Sequence, residues 1–175
     1  MRRLYNRPIQ GESAKLAVLT NPSVERVRGA LVRAGLTPEI IELPGAARTA
    51  QAAAEFLGCS VGQIANSLVF RAQSSDSAVL VMSSGAKRVD TARLSALLQE
   101  PVGKADADFV RNRTGFAIGG VAPVGHVNIG KIFVEKSLAA YRELWAAAGH
   151  PHTVFRLTYD EMLRVTGGAQ AELAA

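Results

Sequence analysis

Cysteine and histidine are scarce in this chain: Cys59 is the one cysteine, and His126, His150 and His152 are the only histidines. A lone thiol cannot pair within the chain, so no disulfide framework is available and a reducing compartment is expected. A zinc site needs clustered ligands, and only His150 and His152 are neighbours, straddling Pro151 after Gly149 in what reads as a surface turn. We therefore expect no metal. Long apolar runs are also missing, and none approaches the roughly 20 residues that span a bilayer. The first segment, MRRLYNRPIQ, has basic residues with no apolar stretch behind them, which argues against a secretory signal. The expected location is cytoplasmic, away from membranes.

Several catalytic motifs are absent as well. No G-x-S-x-G elbow occurs, because Ser83-Ser84-Gly85 lacks the flanking glycine of the sharp nucleophile turn. Gly120 to Gly125 has P-loop spacing, but His126 and Val127 stand where lysine and serine or threonine must meet phosphate and magnesium, and Pro123 removes an amide donor. No G-x-G-x-x-G follows a strand, which leaves dinucleotide binding without support.

What is present suits one folded domain over 1–175. The 175 residues are 48% hydrophobic and 20% charged, enough to bury a full core. Lys and Arg number 20 against 15 Asp and Glu, a net charge of +5. The basic residues are spread out (Arg2, Arg3, Arg26, Arg28, Lys87, Arg88, Arg111, Arg113) with no block of like charge. Both a solvated basic surface and contact with a polyanion fit that distribution.

The elements follow from punctuation and period. Asn21 and Pro22 open a helix over Ser23–Ala34 that stops at Gly35, with Val24, Val27, Leu31 and Ala34 as its stripe. Glu39–Leu43 reads as a strand ended by Pro44-Gly45. Thr49 caps a helix over Ala50–Leu57 that ends at Gly58. Ile64–Arg71 and Ala78–Ser83 form an antiparallel pair, and Asp90 caps a helix whose Leu94, Leu97 and Leu98 face the core. A short extended piece follows Pro101, then a helix capped by Asp106. Lys131–Glu135 and Thr153–Leu157 read as strands, and Thr158 with Glu161 boxes the start of a last helix to Val165. Leu138, Tyr141, Leu144, Trp145 and Ala148 fit a helical stripe slightly better than a strand. The mixed order argues for a mixed sheet flanked by helices.

The remaining feature is the segment TGFAIGGVAPVGH from Thr114 to His126. Gly115, Gly119, Gly120 and Gly125 free the backbone to converge N–H groups on a developing oxyanion, Pro123 stiffens the curve, and His126 adds a donor or proton carrier near neutral pH. The plainer reading is a tight connection in which the glycines only relieve strain.

Gly119-Gly120-Val121-Ala122-Pro123 resembles the G-x-x-x-P loop of the YbaK/prolyl-tRNA-synthetase-associated editing domains, a family of aminoacyl-tRNA deacylases. QIANSLVFR is similar to the family's central strand, VLVMSSGAKRVDTARLSALL to its next strand and helix, and AAAGHPHTVFRLT to its closing hairpin, so the likeness runs from about Ser23 to Gly167. The resemblance implies one mixed α/β domain with a twisted sheet, and it turns Tyr141–Ala148 into a strand paired with Thr153–Leu157. It implies a free-standing deacylase that needs no cofactor, binds the acceptor end of a mischarged tRNA, with an aminoacyl-tRNA synthetase as a second candidate partner, and holds the oxyanion on amides around Gly119 and Gly120. On this reading His126 and Asn66 join the catalytic group. Ser67, Ser84, Lys87, Arg88, Pro123 and Gly125 then face the substrate. One departure stands out: many members carry lysine where this chain has Asn66, which lacks the ammonium charge. Lys87 and Arg88 could supply charge from another direction, contact the tRNA backbone, or be solvated turn residues. The competing expectation is a module that kept the pocket and lost turnover; a hydrolase of other esters has no feature of its own.

Overall fold

The computed structural model describes residues 17–175; the basic opening segment with Arg2 and Arg3 lies outside them. Helix α1 (Pro22–Arg33) starts where Asn21 accepts from the Ser23 amide, and buries Val24, Val27 and Leu31. Strand β1 (Ile40–Glu42) leads to α2 (Ala50–Leu57), where the Thr49 side chain accepts from the Ala52 amide and Gly58 closes the end in a left-handed conformation. A 3-10 turn at Val61–Gln63 feeds the longest strands, β2 (Ala65–Ala72) and β3 (Ser77–Ser84). Then come α3 (Thr91–Leu98), β4 (Val102–Lys104), α4 (Ala107–Thr114) and β5 (Lys131–Glu135). A 3-10 segment, Lys136–Ala140, precedes β6 (Leu144–Ala147) and β7 (Thr153–Leu157). The chain closes with α5 (Tyr159–Thr166), boxed by Thr158 and Glu161, and β8 (Ala169–Ala171).

The strands form two sheets where one was expected. Five strands run in the order β4-β2-β3-β5-β8 and three in the order β1-β7-β6. The larger sheet is mixed: β2 is antiparallel to β3 and β4, while β3–β5 and β5–β8 are parallel. The sheets touch at a parallel bridge between Ile64 and Trp145. That seam positions the cavity described below.

Alternation along β2 and β3 splits the core. Leu80 and Met82 join Val24, Val27, Leu31, Phe116 and Phe155 on one face, while Val79 and Val81 meet Leu94 and Leu173 on the other. Two expectations change. Leu97 is 51% exposed, because a helix of eight residues turns one narrow stripe inward and Leu94 fills it; Leu97 sits on the flank. The helical stripe through Leu138 and Ala148 does not form: Leu138 is buried in the 3-10 segment, and Leu144–Ala147 pairs antiparallel with β7, as the resemblance implied. A β-hairpin there buries Leu144 and Ala146 on alternate positions, which the helical period cannot do.

Candidate functional site

The site begins on β2. Asn66, opposite Ser83 in the β2–β3 ladder, and its neighbour Ser67 line a cavity of about 180 Å³ at the seam of the sheets. The start of α2 contributes Arg48, Thr49 and Ala53, the β6–β7 hairpin Trp145, Pro151 and Val154, and the glycine loop Ile118, Gly119 and Val121. Its walls are mostly apolar. A larger hollow of about 500 Å³ adjoins it, sharing Ser67, Leu68, Ile118, Gly119 and Val121 and reaching Phe70 and Lys104. Ile118, 57% exposed, belongs to the lining of both.

The loop's shape follows from its glycines. Gly119 has φ +90°, a backbone conformation that a side chain opposes. Gly120 departs from the expectation of unusual backbone freedom: its φ is not positive, and what it needs is space, since an added Cβ would lie 3.0–3.1 Å from the His150 backbone. The Gly120 amide donates to the Ala117 carbonyl at 2.9 Å, closing a turn, whereas the Gly119 amide meets no acceptor among the described residues.

Arg26 of α1 fastens the loop from behind. Its Nε donates to the Gly125 carbonyl at 2.8 Å and its Nη2 to the Gly115 carbonyl at 2.9 Å, so one guanidinium ties both ends of the segment. The guanidinium also lies 4.4 Å from the Phe116 ring centroid. His126 meets Phe116 edge-on at 6.0 Å, and its Nε2 is 2.7 Å from the Ala122 carbonyl, a geometry in which Nε2 carries the proton and donates. Burial pushes the His126 pKa below the ordinary imidazole value; the Ala122 carbonyl pulls it up, and the Arg26 charge adds to the lowering.

These positions sort the residues singled out in the sequence. Asn66, Ser67 and Gly119 come together in one cavity. Gly120 is buried against the hairpin. His126, Pro123 and Gly125 line a separate hollow with Arg33 and Asn128. Ser84 is buried, its hydroxyl donating to the Gly62 carbonyl at 2.9 Å. Lys87 and Arg88 are exposed on the β3–α3 turn and do not line the Asn66 cavity. His150 and His152 do lie in a turn, between β6 and β7, with ring centroids 5.4 Å apart. Sequence reasoning missed Arg48 and Trp145. The string Ala-Ala-Arg-Thr before α2 shows a helix cap at Thr49 and gives no sign that its arginine reaches a cavity assembled from distant elements.

The arrangement is a small, mostly apolar cavity with a few polar groups, set between a central strand and a glycine loop at the seam of two sheets, and its size suits a compact ligand group. The chain belongs to the aminoacyl-tRNA editing domain family, whose model matches residues 45–165. Among solved structures it is similar to a proposed trans-editing enzyme for prolyl tRNA synthetase, with 42% identity, a TM-score of 0.82, and coverage of 89% of this chain and 98% of the other. It is also similar to the hypothetical protein APE2540, at 26% identity and a TM-score of 0.79 over 86% of this chain and 99% of that one. Among curated proteins, the uncharacterized protein YwhH of Bacillus subtilis (strain 168) is 26% identical over 140 residues, 80% of this chain and 88% of its own length. No helix among the described residues is long and apolar enough to cross a membrane.

Proposed function

We propose that this protein is a free-standing deacylase that removes a small, wrongly attached amino acid from tRNA charged by prolyl-tRNA synthetase. The observation that carries the reading is that Asn66 and Gly119, far apart in sequence, line one cavity of about 180 Å³ in a chain of the editing family. The cavity takes the amino-acid end of the substrate. Water, held by a free hydroxyl of the terminal ribose, attacks the ester carbonyl carbon and the carbonyl electron pair moves onto oxygen; collapse breaks the bond from that carbon to the ribose oxygen, which takes up the proton given up by water. The amino acid leaves as a free carboxylic acid and the ribose keeps its hydroxyl.

The Gly119 amide, uncommitted among the described residues, is the oxyanion donor we assign, with Asn66 orienting the ester by hydrogen bonding. Gly120 and the Arg26 clamp hold the loop in shape. His126 acts through the Ala122 carbonyl and steadies the turn from its far side. The partners are the tRNA acceptor end and, through it, a synthetase. No cofactor takes part.

A panel of tRNAs carrying amino acids of graded size, each incubated with the purified chain, tests the proposal. Alanyl and seryl esters should be cleared well above buffer and phenylalanyl esters not, because the cavity admits only a short side chain. Equal rates across the panel, or none above buffer, would refute it.

One observation favours a second reading. Asn66, a neutral amide, stands in the cavity where the family resemblance implies a lysine, which favours a chain that kept its pocket and lost turnover, a tRNA- or amino-acid-binding module. Salt-dependent tRNA binding without hydrolysis, together with activity gained on Asn66→Lys, would support this reading against the first.

A further inference from the structure

We infer that Arg48 is the anion-binding group of the cavity and holds the phosphodiester next to the terminal nucleotide of the tRNA acceptor strand. The inference rests on the editing reading above and names the residue that meets the substrate's charge.

Three observations carry it. Arg48 is the only charged residue in the lining of the cavity that contains Asn66 and Gly119. It has no carboxylate within ion-pair distance among the described residues, and its guanidinium makes no hydrogen bond there. Lys87, Arg88 and Lys104 also lack a carboxylate partner among the described residues, but none of them lines this cavity, so Arg48 is the uncommitted charge placed at it. Finally, Arg48 lies against the loop: its Cα and Cγ would be 3.7 and 3.8 Å from a Cβ built on Gly119. Those are ordinary packing distances, so the stem of Arg48 lies alongside the turn that carries the Gly119 amide.

Exposure decides which negative charge Arg48 meets. An oxyanion is best stabilised by donors shielded from water, whereas Arg48 is exposed at the mouth. A phosphodiester arriving from solvent suits an exposed guanidinium, which can bind two phosphate oxygens at once. Lys104 lines the adjoining hollow and not the Asn66 cavity, which makes it the natural comparison. Arg48 thereby places on the rim the positive charge that Asn66 does not bring to the strand.

The test uses the full chain and a single-stranded RNA ending in CCA, with binding followed by the fluorescence of Trp145, the only tryptophan and itself a cavity residue. Removing one phosphate contact lowers the salt slope by about 0.7, which corresponds to roughly fivefold weaker binding at about 0.1 M salt. Arg48→Ala should show both changes, Arg48→Lys should recover most of the affinity, and Lys104→Ala should have less effect than Arg48→Ala. With aminoacylated tRNA, Arg48→Ala should raise KM by a similar factor and leave kcat in place, because the contact is the same in ground and transition states. If wild type binds the RNA and Arg48→Ala binds it with the same affinity and slope, the assignment is overturned and the editing reading stands. A fall in kcat at constant KM would also overturn it, moving the cation onto the oxyanion. Wild type that binds no RNA at all would overturn both.

Discussion

Replacing Arg26 with methionine isolates what the loop clamp is worth. Methionine keeps an unbranched apolar stem beside Phe116 and removes the guanidinium, hence both hydrogen bonds that fix Gly115 and Gly125 and the stacking at 4.4 Å. Hydrogen bonds from a charged donor contribute about 1.5–3 kcal/mol each. Arg26 is half-buried, so water can reach the freed carbonyls and the lower end applies; two bonds then give a loss of about 3 kcal/mol. Urea unfolding followed by Trp145 fluorescence and by circular dichroism measures this directly, with an unchanged m-value marking a true stability effect. Hydrogen exchange should also speed up at Gly115–Gly125 more than in β2 and β3, because the perturbation is local. A loss under about 1 kcal/mol, or exchange that rises evenly over the whole domain, would refute the claim that Arg26 shapes the loop.

The neighbouring glycines separate two causes of constraint. Gly119→Ala meets no clash, its nearest neighbour being 3.7 Å away, but forces alanine to φ +90° and should cost about 1–2 kcal/mol in thermal or urea unfolding. Gly120→Ala instead drives a methyl into the His150 backbone at 3.0–3.1 Å, so the β6–β7 turn must move; a loss of about 1–3 kcal/mol and shifted amide resonances at His150–His152 are expected. His126 makes stability pH-dependent. Its folded pKa lies below the unfolded value of about 6.5, so the unfolded chain takes the proton first on acidification. The contribution is complete above that value and declines as the pH falls through it toward the folded pKa. Urea midpoints of wild type should therefore drop between pH 7.5 and 5.5 more steeply than those of His126→Gln. Some slope should persist in the variant, because burial, then the neighbouring His152 charge, also lowers the pKa of His150.

The helices were legible because their ends are written in local chemistry. Asn21, Thr49, Asp90, Asp106 and Thr158 each cap the helix expected of them. The hairpin at Leu144–Ala147 was ambiguous because Leu138, Tyr141 and Trp145 satisfy a helical spacing by accident, and only pairing with Thr153–Leu157 decides between the periods. Strand β8 is three residues long and exists through its parallel partner β5, so nothing in Ala169–Ala171 announces it. The site was half legible. Asn66 and Gly119 carry motif signals, while Arg48 and Trp145 enter the cavity only because the sheets meet at Ile64 and Trp145. His126 follows Gly125 in sequence yet faces a different hollow, since the buried run Gly120–Val124 passes through the core between it and Gly119.

The most direct measurement is the single-turnover rate of alanyl-tRNA hydrolysis by the wild-type chain and by Gly119→Ala, run where unfolding curves show both to be folded. The account predicts hydrolysis well above buffer for wild type and a fall of about 10²–10³ in the variant, as expected when an oxyanion donor is misplaced. Wild type no faster than buffer, or a variant as fast as wild type, would contradict it.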